Sequence, residues 1–207
     1  GTQIGADQIR ERLAFIQPYV NWIRTFSCSE GNELIPAIAR EKGLKTMVGV
    51  WLDDNKEQNE IELANAIEIA NAGHADILGV GNEVLLRKDL TVNQLIDYIK
   101  RVKREVWAPV STAEPWHVWL THPELVEQVD FIAVHMLPYW EGIHIDRAVD
   151  YVIDRMNDLK RLYPGKPIVI GEVGWPSNGR TRQSAVASDQ NEAVFLRRFL
   201  DRAEREG

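Results

Sequence analysis

The segment DILGVGNE, residues Asp76–Glu83, decides how this chain folds. From Ile77 to Val80 neither alternate set of positions is polar, so an extended strand here has no face for water. Strands of that kind are buried on both sides, as in parallel sheets covered by helices. Five other runs share this character: WIRTFS (Trp22–Ser27), TMVGVWL (Thr46–Leu52), PVSTAEP (Pro109–Pro115), FIAVHMLPY (Phe131–Tyr139) and PIVIGEVGW (Pro167–Trp175). The segments between them have helical spacing. ADQIRERLAFI places Ile9, Leu13 and Ile16 four and three apart, and IELANAIEIANA repeats apolar residues from Ile61 to Ala72. LTVNQLIDYIKRVKREV puts Leu95, Ile99 and Val102 on one face with basic residues opposite. AVDYVIDRMNDLKRLY and NEAVFLRRFLDRAE follow the same pattern, and Gly43 and Gly165 stand where helices should stop.

Strand starts recur at roughly 20- to 36-residue intervals, the length of one βα unit. Regular βα alternation means a parallel sheet, either open or closed into a barrel. Six strands are legible, with a helix before the first and another after the last. A closed eight-stranded barrel needs one more strand before Gln3 and one after Gly207. No linker, repeat array or low-complexity tract divides the chain, so residues 1–207 read as a single barrel domain, incomplete at both ends.

Composition narrows the function. Of 207 residues, 44% are hydrophobic, enough for a real core, and the net charge of −7 disfavours a phosphate backbone as partner. Neutral sugars remain compatible. The single cysteine, Cys28, allows no internal disulfide and no Cys–His metal spacing. No HExxH motif is present, and no run approaches the ~18 apolar residues of a membrane span. No signal peptide is legible either. No metal, cofactor, nucleic acid or membrane segment is therefore expected. Seven tryptophans divide between core packing and stacking on sugar rings.

In parallel βα folds the chemistry gathers at the C-terminal ends of the strands. The six strands deliver Arg24 and Ser27; Trp51, Asp53 and Asp54; Asn82 and Glu83; Glu114 and Trp116; His135, Tyr139 and Trp140; and Glu172 and Trp175. Carboxylates and aromatics on one rim are what glycoside hydrolysis requires. One carboxylic acid, its pKa raised, protonates the leaving oxygen, and a second carboxylate stays ionised to attack or to activate water. Each residue also has a structural reading. Glu83 fits a first-turn acid on the helix dipole. Glu172 fits a core carboxylate paired with Arg24. His135 fits a satisfied core histidine, and Asp53 and Asp54 fit helix caps. Gly79 and Gly81 lack the third glycine of a nucleotide loop, and Ser27-Cys28 lacks a triad pattern.

GVGNEV (Gly79–Val84) resembles the acid/base strand of the large 4/7 clan of glycoside hydrolases. GEVGWPSNG, beginning at Gly171, resembles the nucleophile strand of glycoside hydrolase family 17, the β-1,3-glucanase family, and IRTFS and VHMLPYWEG are also similar to segments of that family. The resemblance covers nearly the whole chain. It implies a (β/α)8 TIM barrel of α/β class, with the six strands as the second to seventh and the first and eighth lacking. It implies Glu83 as general acid/base, Glu172 as nucleophile, Asn82 at the sugar 2-hydroxyl, and Tyr139 and Trp175 along the cleft. His135 becomes a subsite residue. Arg24, Trp51, Glu114 and Trp140, brought to the same rim, complete the expected substrate-binding set. A retaining pair should stand roughly 5–5.5 Å apart. Bacterial members of the family include both hydrolases and transglycosylases, so the resemblance implies the β-1,3-glucan donor and leaves the acceptor open. A glucan-binding remnant without activity, or another clan activity such as a β-1,4-glucanase or mannanase, also fits the pattern. The expected setting is extracytoplasmic, and the expected state is a monomer.

Overall fold

The computed structural model describes residues 4–206. Six strands run β1 (Trp22–Arg24), β2 (Lys45–Val50), β3 (Ile77–Asn82), β4 (Val110–Pro115), β5 (Ile132–Met136) and β6 (Ile168–Val173). They pair in sequence order and every pairing is parallel. The helices are α1 (Ala6–Ile16), α2 (Ile35–Glu41), α3 (Lys56–Asn71), α4 (Val84–Arg87), α5 (Val92–Lys103), α6 (Trp116–Thr121), α7 (Pro123–Val126), α8 (Ile145–Leu162) and α9 (Asp189–Glu206). The sheet curls into a truncated (β/α) barrel. All six expected strands are present, most of them shorter than their apolar runs. The short helices α2, α6 and α7 were not legible, because each is too brief to show a period, while α4 was anticipated only in the structural reading of Glu83 as a first-turn acid.

Alternation along the strands builds two layers. Val48, Val50, Leu78, Val80, Ile132 and Val134 point outward into the large core under the helices. Met47, Ala113, Phe131 and Ala133 pack together on the other side of the sheet, as the barrel interior. Gly49 is required by close approach of β1, since a Cβ there would lie 2.1 Å from the Thr25 carbonyl oxygen. Between β1 and β6 the sheet is open. Trp22, Ile23, Val169 and Ile170 line a cavity of about 340 Å³ at that seam, where a closed barrel would place two further strands. Among the described residues, no helix is long and apolar enough to cross a membrane.

The largest fully buried side chain is Trp119 on α6. Its indole N–H reaches the carbonyls of Glu114 (3.2 Å) and Ala133 (3.1 Å), tying α6 to β4 and β5. Replacing it with alanine leaves a cavity and takes a donor from both carbonyls. Trp119→Ala is expected to destabilise the protein by about 3–5 kcal/mol, read as a lowered urea midpoint at constant slope.

Candidate active site

The rim chemistry begins with a break in a strand. The β3–β4 register shifts between Gly79 and Asn82, and Gly81 sits at φ +93°, a left-handed conformation that favours glycine. Glu83 follows, also left-handed at φ +53°, a strained position for a residue with a side chain. Its amide is anchored to the Ala113 carbonyl at 2.8 Å. Arg87 pins the turn from the other side, its guanidinium donating to the Asn82 carbonyl and to the Leu52 carbonyl.

Across the rim, Glu172 projects from β6. Arg24 Nη1 donates to Glu172 Oε1 at 3.0 Å and to the Gly171 carbonyl at 2.8 Å, while Nη2 donates to Asn82 Oδ1 at 2.6 Å. Burial pushes the Arg24 pKa down, and the Glu172 carboxylate pulls it back up. His135 stands between the two glutamates, almost fully buried. Its Nδ1 lies 2.8 Å from Glu83 Oε1, and its Nε2 lies 3.4 Å from Glu172 Oε1 and 3.2 Å from Arg24 Nη1. In the neutral ring these contacts put the proton on Nδ1, where it is donated to Glu83, and leave Nε2 to accept from Arg24. Oxygens of Glu83 and Glu172 lie within 4.8 Å of each other, closer than the roughly 5–5.5 Å typical of a retaining pair and far short of the spacing of an inverting one.

These three side chains include metal-capable atoms. The Arg24 guanidinium already lies against two of them, so the site has its positive charge built in and would repel a cation. The hydrogen bond from His135 holds the Glu83 carboxyl below the ordinary carboxylate range, with burial opposing it and the charges of His135, Arg87 and Arg24 assisting. This departs from the expected raised pKa, for a reason invisible in sequence: the partner lies 52 residues away.

A cleft of about 460 Å³ opens over the pair. Glu83, His135 and Glu172 form its floor, with Trp116, His117, Trp140 and Glu141 around it and Leu86, Pro115 and Leu137 as apolar wall. Trp140 is well exposed and its ring carries the Arg182 guanidinium at 4.2 Å. Six residues expected to bind substrate do not line this cleft; Arg24 stands beside Glu172 and Asn82 beside Arg24, and the other four lie elsewhere. Trp175 is buried, packed between Tyr139 and Phe195 with its N–H on the Val186 carbonyl. Tyr139 is buried too, its hydroxyl donating to the Arg180 carbonyl. Both support the cleft wall from behind. Trp51 lies beneath Arg87 at 4.4 Å, outside the cleft. Glu114 is fully buried and accepts from the backbone amides of Leu85 (2.8 Å) and Leu86 (3.4 Å). Trp116 was visible at a strand end but not placed in the site; an aromatic directly after the strand-end Glu114-Pro115 was the available signal.

Other strand-end groups are structural. Glu62 of α3 is buried and accepts from the amides of Cys28 and Trp51 and from the Ser27 and Ser29 hydroxyls, joining the loops after β1 and β2. Cys28 is buried and its thiol pKa is raised by burial and then by the Glu62 charge. That removes Ser27-Cys28 from consideration as a nucleophile.

Glu114 predicts a pH effect on stability. Burial pushes its pKa up to about 7, against the Leu85 and Leu86 amides, with the Glu83 charge adding to the rise and that of Arg87 opposing it. In the unfolded chain it ionises in the ordinary carboxylate range. The folded state therefore holds the proton more tightly. Its contribution is fully present below that range and is lost as pH rises through about 7. Urea midpoints should fall over this window in the wild type and fall less in Glu114→Gln.

A parallel barrel with two carboxylates this close, in a groove edged by indoles, belongs to the class of barrel glycoside hydrolases. The comparisons agree. Residues 2–207 match the BtgE/BtgC glycoside hydrolase domain. A glucan 1,3-beta-glucosidase of Schizosaccharomyces pombe is 28% identical over 100% of this chain and 71% of its own length. The one of Saccharomyces cerevisiae is 26% identical over 94% of this chain and 70% of its own length. Among solved structures, the glycoside hydrolase family 17 beta-1,3-glucanosyltransferase of Rhizomucor miehei superposes with a TM-score of 0.89 at 32% identity, covering 100% of this chain and 81% of that one. The chain belongs to the BtgE/BtgC glycoside hydrolase domain family, within glycoside hydrolase family 17.

Proposed function

We propose that this protein cleaves β-1,3-glucan by double displacement, with Glu172 as nucleophile and Glu83 as general acid/base. The observation carrying this reading is the approach of the two carboxylates to within 4.8 Å over a shared histidine. Glu172 is the group paired directly to a guanidinium at 3.0 Å, which suits a nucleophile that must stay ionised. Among the described residues, Glu83 has no guanidinium in direct contact, and its nearest partner is the His135 ring at 2.8 Å. A glucan lying over the cleft removes water from Glu83 and so favours its protonated form.

In the first step a Glu172 oxygen bonds to the anomeric carbon, the glycosidic bond breaks, and the Glu83 proton goes to the leaving oxygen. In the second step Glu83 takes a proton from the acceptor, whose oxygen displaces Glu172. Arg24 holds the Asn82 side-chain oxygen at 2.6 Å, which orients the amide NH2 toward the sugar 2-hydroxyl. Trp116 and Trp140 supply faces for sugar rings.

The relatives named as glucan 1,3-beta-glucosidases and the neighbour named as a beta-1,3-glucanosyltransferase support the donor class. Water as acceptor makes a glucanase; a second glucan makes a transglycosylase. Product analysis at high laminari-oligosaccharide concentration separates them, since only transfer yields products longer than the substrate. No product of either kind, with glucan still bound, contradicts the catalytic reading. A polysaccharide substrate supports a site of action outside the cytoplasm, and we propose separately that the enzyme is a monomer. Cell fractionation and sedimentation test these two points.

A further inference from the structure

The glutamate that opens α4 does not cap it. Glu83 is the N-cap residue of α4, yet its side chain makes no capping hydrogen bond. A short polar N-cap such as Asp or Ser ordinarily accepts from the amides two and three positions on, which here belong to Leu85 and Leu86. Those two amides are already taken by the Glu114 carboxylate, reaching across from β4 at 2.8 and 3.4 Å. Glu114 is fully buried beneath the rim and lines no part of the cleft. The backbone on both sides of Glu83 is thus fixed by other groups: the Ala113 carbonyl on its own amide, Arg87 on the Asn82 carbonyl, and Glu114 on the two amides that follow.

We propose that Glu114 is a positioning residue for the acid/base. By capping α4 from the neighbouring strand, it frees the Glu83 side chain to extend into the cleft toward His135. This rests on the reading of Glu83 as acid/base. The residue that the sequence placed on the rim as a sugar contact acts one layer below it. Burying a carboxylate here costs desolvation, and two backbone N–H donors offset part of that cost. The arrangement gives Glu83 a defined direction at a strained φ of +53°.

Without Glu114, the Leu85 and Leu86 amides are left open and compete with His135 for the Glu83 carboxylate. Glu114→Gln retains volume but replaces one acceptor oxygen with an NH2 that faces a donor. The acid then points away from the leaving oxygen for part of the time.

The test is a comparison of kcat/KM on two substrates with the intact protein, at a pH above about 7 where Glu114 is ionised. One is a laminari-oligosaccharide, whose sugar leaving group needs a proton. The other is a dinitrophenyl β-laminaribioside, whose leaving group does not. General acid catalysis is worth roughly 10²–10⁴-fold, and a small misplacement of a catalytic group loses on the order of 10²-fold. Glu114→Gln should lose roughly 10- to 100-fold on the oligosaccharide and much less on the aryl glycoside. The ratio of the two rates is independent of the folded fraction, so a purely structural role leaves it unmoved. Equal losses on both substrates, or no loss on either, overturn the proposal. If Glu114→Gln does not fold, the same ratio is read on Glu114→Asp, whose carboxylate stands one methylene further from the amides. A wild-type ratio there likewise overturns it. A wild type inactive on both substrates contradicts the catalytic reading itself, a result distinct from a failure of Glu114.

Discussion

Glu172→Ala should lose at least about 10⁴-fold in kcat on laminari-oligosaccharides, among the largest effects of any single substitution. The loss has a specific character. Removing the carboxylate removes the atom that bonds to the anomeric carbon, and it leaves Arg24 without the partner that lay 3.0 Å away. The vacated space then adjoins a guanidinium, which favours a small anion. Azide supplied in solution should enter it and displace an activated leaving group once. A single displacement on a β-glycoside inverts the centre, so the product should be the α-glycosyl azide. Recovery of activity with that stereochemistry assigns Glu172 as nucleophile. No recovery with an activated substrate, or a β-azide, contradicts the assignment.

Glu83→Ala should give the mirror of this result. The nucleophile remains, so an aryl glycoside with a good leaving group should still glycosylate Glu172 at close to the wild-type rate. The second step then lacks its base and slows, by roughly 10²–10⁴-fold for a general acid–base group. Azide needs no base, so it should restore turnover by attacking the glycosyl-enzyme from the side that Glu83 occupied. Two displacements restore the starting configuration, and the product should be the β-glycosyl azide. Natural oligosaccharides, which need the acid in the first step, should stay slow in either case. Glu83→Ala also frees His135 Nδ1 from its 2.8 Å contact. The high-pH limb of the kcat/KM profile, where the acid loses its proton, should lose the titration of Glu83, which in the free protein lies below the ordinary carboxylate range. An unchanged profile would mean that Glu83 is not the group titrating there.

The sheet was legible because each strand is apolar on both faces, a local property that needs no knowledge of neighbours. Glu83 and Glu172 were legible for the related reason that a carboxylate at the end of such a strand needs a purpose. What stayed hidden depends on packing between distant segments. Trp175 looked like a cleft aromatic, but α9 brings Phe195 against it and buries it. Tyr139 is drawn under the loop by the Arg180 carbonyl. Glu114 looked like one more rim carboxylate, and only the bulge at Gly81 brings the α4 amides over it. His135 read as a core histidine, and it is indeed almost fully buried. Its contact with Glu172 arises from the register of β5 against β6, where the two residues stand side by side, and its contact with Glu83 reaches across β4.

The central claim is that Glu172 forms a covalent bond to the sugar while Glu83 manages the proton. Its most direct test is to inactivate the enzyme with a 2-deoxy-2-fluoro laminaribiosyl fluoride, which slows the second step more than the first, and to map the label by peptide mass spectrometry. The label should fall on the peptide that contains Glu172, with one disaccharide per chain. A label on Glu83, or an active enzyme that never becomes labelled and releases product of inverted configuration, would contradict it.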